Sequence, residues 1–476
     1  MRKRIYFPAL LILTLIILHG CKKEVIPEDT REQASALTLK INGFIKTVMT
    51  DVYLWYKEMP AVDIKYETDS KAYFDKLLYT EDKWSVVTDN VTALQGSLEG
   101  VETTFGYSIA FGRFVNQSGA PTGEYFALIE YVYPNSPASE AGLQRGDIIV
   151  KINDAAITDA NYSALFNGST ITITKGILGT SGITQGSTLS MTSREMELDP
   201  VLTYKIIERS GHKIGYLMYL QFIESYDNTS LQTALQYFKD NQITDLVLDL
   251  RYNPGGQITA ARYLCSSLAP LNIVNDARRL VTFQWNDKYQ AYWAANHIEE
   301  QIGISFDSSV PVKLGLSKIY ILTGSGSASA SELTICGLEP YMNVILIGDN
   351  TYGKYTGSIL IKPADLYDTP SQYADFANWG LMPIVIRYAN SLGVTNFTNG
   401  FTPDFAIDDE LMPASPLGDL AEPLLKKAVE DITGETLKGA SKGIPQYRFE
   451  VLKRGSSRFE EQKKNLFINV PLEFKK

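Results

Sequence analysis

The sequence predicts a multidomain α/β protein with an N-terminal helical segment, a β-rich module and an α/β core. Three observations carry that reading. Leu37, Ile41, Phe44, Val48, Val52 and Trp55 recur every three or four residues, which is the spacing of one helix face. Residues 101–197 hold apolar runs and period-two alternation broken by Gly/Ser/Thr-rich stretches, as in strands and turns. From about residue 203 strand-like and helix-like segments alternate, the pattern of an α/β core. With 476 residues, 45% of them hydrophobic, the chain can bury two or three cores and is too apolar and aromatic for a disordered chain.

Taken in order, the first 20 residues read as an export signal. Arg2, Lys3 and Arg4 precede a short apolar core, Ala9–Leu18, that is too short to span a bilayer comfortably. It ends in Leu18-His19-Gly20-Cys21, which resembles the bacterial lipobox, so that Cys21 would carry a lipid; an ordinary signal peptide that contains a Cys is the competing reading. Residues 21–35 are polar and read as a tether, and 36–100 as a helical domain with a second short helix over 70–79. Within 101–197, Glu124–Tyr133 reads as a strand broken by Pro134-Asn135. Ser136–Ala141 reads as a short helix stopped at Gly142, and Asp147–Ile152 as a further strand. Ile171 and Ile173, then Leu189 and Met191, alternate as strand positions.

The core, 198–415, offers strands at Gly215–Ile223, Leu246–Leu250, Ile319–Leu322 and Val344–Ile347, and helices around Leu231–Phe238, Gln257–Leu268 and Ser329–Leu338. Residues 275–310 read as an insertion whose aromatics (Phe283, Trp285, Tyr289, Tyr292, Trp293) form either a satellite apolar cluster or a ligand surface. Residues 416–476 read as a polar tail with one helix over 418–432. Cys265 and Cys336 lie in apolar helical patterns and read as buried free thiols, which supports neither a disulfide framework nor a cysteine metal site. A net charge of −10 without a basic run excludes ordinary nucleic-acid binding.

Three segments carry chemistry. Residues 323–332, TGSGSASASE, run from a strand through a Gly/Ser turn into a helix. A hydroxyl there meets orphan N–H groups and the positive end of the helix dipole, as a nucleophile that builds an oxyanion requires. A Ser-rich N-cap is the plain structural meaning of the same run. Beyond residue 20 only His212 and His297 remain, in a polar turn and in the insertion, so a Ser-His-Asp triad lacks support. Lysine is the alternative base, provided that desolvation lowers its pKa from about 10.4 toward about 7–8. Lys354, between the apolar runs VILIG and GSILI, is the candidate; an ordinary turn lysine is the plain reading. The third segment, LVLDLRYNPGG (246–256), ends a buried strand in paired glycines that let backbone amides approach a ligand, and Asp249 and Arg251 read as a structural ion pair.

Together DLRYNPGG (249–256), SASASE (327–332) and YGK (352–354) resemble peptidase family S41, the carboxy-terminal processing proteases. The resemblance covers roughly 100–410 and includes GFTPD (400–404). It implies a crotonase-like serine peptidase core with Ser329 as nucleophile and Lys354 as base. Ser358 stands where many members carry a lysine-orienting Gln, and the oxyanion donors would be Ala330 with Gly255 or Gly256. Residues 105–154, with SPA (136–138) and AGLQRGD (141–147), resemble the family's PDZ domain. Phe105, Gly106, Tyr107 and Ser108 would form its carboxylate-binding loop. The resemblance implies protein or peptide substrates held by their C-termini, no cofactor, no metal, and an exported lipoprotein facing the periplasm or the cell surface. With no Gln and no acidic residue assigned midway between Ser329 and Lys354, a catalytically degenerate PDZ-containing scaffold lipoprotein is the alternative.

Overall fold

A computed structural model describes residues 31–179, 182–437, 448–456 and 466–468. The first helix, Ala36–Val52, starts where Ser35 Oγ accepts the Thr38 N–H at 3.0 Å. Of its expected apolar face, Ile41, Phe44, Val48 and Val52 are buried, whereas Leu37 is exposed and Trp55 lies half-buried beyond the helix end. Ser70–Leu77 follows as the second helix, capped by Asp69.

The β-rich module is a sheet in the order Phe449–Gly455, Tyr107–Val115, Pro121–Val132, Ile148–Ile152, Thr170–Gly179, Gly182–Thr192. The Pro137–Glu140 helix starts in a reciprocal cap between Ser136 and Ser139. Gly142 then takes the left-handed conformation that ends it.

The core sheet runs Val201–Arg209, His212–Tyr219, Asp245–Asp249, Lys318–Thr323, Asn343–Gly348, Phe405–Ala406, antiparallel in its first pair and parallel thereafter. Side-chain alternation fixes its two faces. Leu217, Leu248 and Ile321 join one apolar cluster, whereas Tyr216, Val247 and Tyr320 join another. The helix Pro423–Thr433 covers that second face with Leu424, Leu425, Ala428, Val429 and Ile432. Each large apolar side chain so buried contributes about 1.5–3 kcal/mol.

Two expectations change here. The supposed insertion supplies the Arg279–Trp285 strand of a second sheet, which pairs with Gly303–Ser305 on one side and Ile384–Asn390 on the other. Its aromatics Phe283, Trp285, Tyr289 and Trp293 belong to the main core, not to a satellite cluster or an open ligand surface. Asn286 Nδ2 donates to the carbonyls of Asp51 (2.9 Å) and Tyr53 (3.2 Å), docking this unit against the first helix. The supposed polar tail adds strands to two sheets and a helix against a third. Its helix covers the core sheet, Phe449–Gly455 pairs in the module, and Leu466–Phe467 pairs with Thr356–Ser358 in the second sheet. Polarity misled because a strand added at a sheet edge buries only part of its side chains.

Candidate active site

The Lys318–Thr323 strand ends at the carboxyl edge of the parallel sheet, beside the end of Asp245–Asp249. The two following turns interlock. Ser327 Oγ donates to the Leu250 carbonyl at 2.8 Å. The Ala328 N–H and Ser331 Oγ both donate to the Asn253 carbonyl, at 3.2 and 2.9 Å. Gly326 belongs there because a Cβ would come within 2.8 Å of the Arg251 carbonyl oxygen.

Ser329 emerges from this lock at φ 60°, ψ −108°, a conformation costing a non-glycine residue about 1–3 kcal/mol. It is fully buried, and its Oγ has no hydrogen-bond partner among the described residues. The helix Ala330–Leu338 starts immediately after it. As the first residue of that helix, Ala330 has an N–H with no intrahelical acceptor. A Cβ on Gly255 would lie 2.7 Å from Ser329 Cβ and 3.0 Å from the Ala330 nitrogen, so the glycine keeps open the space in front of that amide. Gly255 itself donates its N–H to Asn253 Oδ1 at 2.9 Å. Gly256 lies against the Phe222 backbone so closely that a Cβ would come within 2.2 Å of its carbonyl oxygen.

Lys354 is fully buried, on the loop after Asn343–Gly348. Its Nζ stands 5.9 Å from the centroid of the Trp84 ring. Gly400, in the GFTPD turn, fits against Thr351, where a Cβ would meet the carbonyl oxygen at 2.1 Å. Asp404 of that turn accepts the Leu346 N–H at 2.8 Å. Ser358 is buried on Thr356–Ser358, the strand that leads away from Lys354.

Two residues that the sequence reading passed over join Ser329 to Lys354. Glu332 Oε2 accepts the N–H groups of Ser329 (2.9 Å) and Lys354 (2.8 Å). Its Oε1 accepts the Thr351 hydroxyl and the Gly353 N–H, both at 2.6 Å. Burial pushes this carboxyl up to about 7, against four hydrogen bonds that favour the ionised form. Tyr388 Oη reaches the carbonyls of both Ser329 and Lys354 at 3.2 Å. A signal for Glu332 existed, since it is the one acid in the apolar helix ASELTICGL. Nothing local marks Tyr388 or Trp84.

The other expected residues fall away from this centre. His212 Nδ1 lies 2.7 Å from Asp245 Oδ2 at the amino ends of two parallel strands, opposite the edge that carries the turns, and His297 is exposed. Asp249 and Arg251 form the expected ion pair. Phe105 and Tyr107 are buried in the module with rings stacked 5.9 Å apart, and Tyr107 Oη donates to the Leu165 carbonyl. Gly106 is at φ 81°, tight against Ser136. Ser108 Oγ donates to Glu130 at 2.7 Å. The loop thus turns its side chains inward, while its Gly106 N–H donates to Thr104 Oγ1 and its Phe105 and Gly106 carbonyls accept from the N–H groups of Ala138 and Tyr133. Cys21 lies outside the described residues.

The peptidase family S41 model matches residues 213–407, the S41 N-terminal domain model 40–86, and a PDZ domain model 128–172. This chain belongs to peptidase family S41. The S41 match contains Ser329, Ala330, Lys354, Ser358, Gly255 and Gly256, and the N-terminal match contains Trp84. Residues 105–108 lie before the PDZ match. The solved structure of a putative S41 protease from Bacteroides fragilis is similar at a TM-score of 0.67 and 29% identity, over 82% of this chain and 97% of that one. Among curated proteins, a chloroplastic C-terminal processing peptidase of Tetradesmus obliquus is 25% identical, over 59% of this chain and 56% of its own length. The carboxy-terminal processing protease CtpB of Bacillus subtilis is 25% identical, over 63% of this chain and 60% of its own. The S41 chain thus spans less than two thirds of these two curated relatives.

Proposed function

We propose that this S41 protein is a serine endopeptidase working through a Ser329–Lys354 dyad on protein substrates. One observation carries the reading. A strained, buried serine and a buried lysine hang by their backbone N–H groups from the same oxygen of Glu332. In the proposed cycle, neutral Lys354 Nζ takes the Ser329 hydroxyl proton while Oγ attacks the scissile carbonyl carbon. The oxyanion is received by the Ala330 N–H and a glycine amide. Gly256 is favoured because the Gly255 N–H is engaged by Asn253. The lysine ammonium returns the proton to the leaving amine, and the acyl-enzyme remains. Water then gives a proton to the lysine, attacks the ester and frees the new carboxyl end, and the proton goes back to Oγ. Ser358, four residues after Lys354, is proposed to orient it.

The PDZ domain is proposed to capture substrate C-termini by strand addition to Tyr107–Val115, with the carboxylate at the 105–108 backbone. The deciding measurement is cleavage of an unfolded protein with an apolar C-terminus by wild type, Ser329→Ala and Lys354→Ala at matched folding. Loss of at least about 10³-fold in both variants is expected for members of one catalytic unit. An inert wild type that still binds C-terminal peptides would replace this reading with the scaffold one.

Membrane attachment is proposed through a lipid on Cys21. Among the described residues no helix is long and apolar enough to cross a membrane. Cys21→Ser is expected to release the protein from the membrane fraction. Unchanged sedimentation with membranes would sink the anchor.

A further inference from the structure

The Tyr107–Val115 strand has two edges. Pro121–Val132 pairs with one. The other, where an added peptide strand would lie, is taken by the chain's own Phe449–Gly455. Pairing is antiparallel, from Phe449 opposite Phe114 to Gly455 opposite Ile109. The segment therefore runs toward the 105–108 loop, in the direction that carries the C-terminal end of a bound peptide to that loop.

Its side chains occupy the edge as a ligand would. The register shifts between Val451 and Lys453, so Leu452 is the extra residue of a bulge. Leu452 packs against the cluster built from Phe105, Tyr107, Ile109 and Phe111. Arg454 ion-pairs with the buried Glu130, and Glu450 with Arg113. Gly112 permits the close approach, since a Cβ there would come within 2.5 Å of the Glu450 carbonyl oxygen. Further along, Leu466–Phe467 adds in parallel to Thr356–Ser358, and the Ile468 N–H donates to the Ser358 carbonyl at 3.1 Å. Residues 449–455 thus engage the PDZ edge, and 466–468 the strand leading from Lys354.

We propose that residues 448–456 are a tethered occupant of the peptide-binding edge, an internal competitor that substrate must displace. The inference rests on the proposed role of that edge in capture. It also describes the ligand the edge accepts: an extended peptide with an apolar anchor at the Leu452 position and a basic residue two places later, facing Glu130.

The test is made in the Ser329→Ala background, so that binding is read without cleavage. The probe is a labelled nonapeptide of residues 448–456 (RFEVLKRGS), as free acid and as amide, followed by fluorescence anisotropy. The hosts are the full chain, the chain ended after residue 447, and full-length Leu452→Asp. An edge held 90–99% of the time by its tether should gain about 10–100-fold in apparent affinity when the tether is removed, and less in Leu452→Asp. Equal affinity in the full and shortened chains, or no binding by a folded shortened chain, overturns the proposal. Should the shortened chain not fold, an unchanged Leu452→Asp affinity overturns it. If free acid and amide bind the shortened chain equally, C-terminal capture fails while self-occupancy stands. If the shortened chain binds better and the wild-type serine chain still cleaves nothing, the dyad fails and this inference survives.

Discussion

Two buried polar clusters flank the Asn253–Gly256 turn, and they are built on opposite principles. Around Arg251, charge meets charge. The guanidinium bonds Asp249 (3.0 and 2.9 Å), Glu422 (2.6 and 2.9 Å) and Asp409 (3.1 Å). Asp409 also takes Arg145 at 2.6 Å and the Tyr252 hydroxyl. Burial opposes ionisation of Asp409, yet Arg251 and Arg145 hold its carboxyl well below the usual range. Around Glu332, a single carboxylate meets an alcohol and three amides, and burial lifts it to about 7. In the first arrangement the guanidinium groups hold Asp409 and Glu422 below the usual carboxylate range, while burial pushes Asp249 up against the pull of Arg251. The second sits where a proton can come and go.

The difference matters because each cluster joins different parts. Arg145 comes from the PDZ region, Arg251 and Tyr252 from the peptidase core, and Glu422 caps the C-terminal helix through the Leu425 N–H at 2.9 Å. This cluster is a permanent staple between units. The largest expected effect is therefore on stability. Arg251→Met should cost about 3–5 kcal/mol, because it leaves Asp249 and Glu422 buried without their cation. Urea unfolding of the purified chain measures it. A loss below about 1 kcal/mol would mean that the cluster relaxes or hydrates, and the contrast with the Glu332 site would collapse.

The two clusters also differ in how far the sequence discloses them. DLRYNPGG, SASASE and YGK are short, and their spacing together with the order of strands brings Ser329, Lys354 and the glycine pair to one edge. Such local patterns are legible because each residue's role is set by its neighbours in the chain. The partners of Arg251 are not. Asp409 and Glu422 lie more than 150 positions away, and Glu422 stands in the tail that reads as polar. The same blindness covers Phe449–Gly455, whose alternation is too weak to reveal a strand until the Tyr107–Val115 edge is seen beside it. Tyr388 belongs to this class as well: its hydroxyl reaches the carbonyls of both Ser329 and Lys354 from a strand that reads only as core. Glu332 is the intermediate case. It stands inside the serine motif, yet its function depends on a loop about twenty residues further on.

Glu332 gives the smaller but more telling effect, because geometry and titration pull in opposite directions. Relative to an ordinary glutamate at 4.5, a folded-state value of about 7 means that the folded chain binds a proton more tightly than the unfolded chain. The stability from this group is then fully present below about 4.5 and is lost as pH rises through about 7. Positioning requires the reverse. All four neighbours are donors toward the carboxylate, so an added proton must displace one of them and loosen the link between Ser329 and Lys354. Activity should therefore fall as pH drops through about 7, over the same window in which this group's contribution to stability grows. Glu332→Gln places an amide N–H₂ against two of those donors. It is expected to lower kcat about 10²-fold with KM little changed and to remove Glu332's share of the acid limb, leaving the fall that protonation of Lys354 causes. The measurement is kcat and KM from pH 5.5 to 8.5 alongside the melting temperature. A variant that keeps the wild-type acid limb while losing only thermal stability would make Glu332 a structural acid. A variant that loses that share of the limb and retains its fold makes Glu332 the residue that positions Ser329 against Lys354.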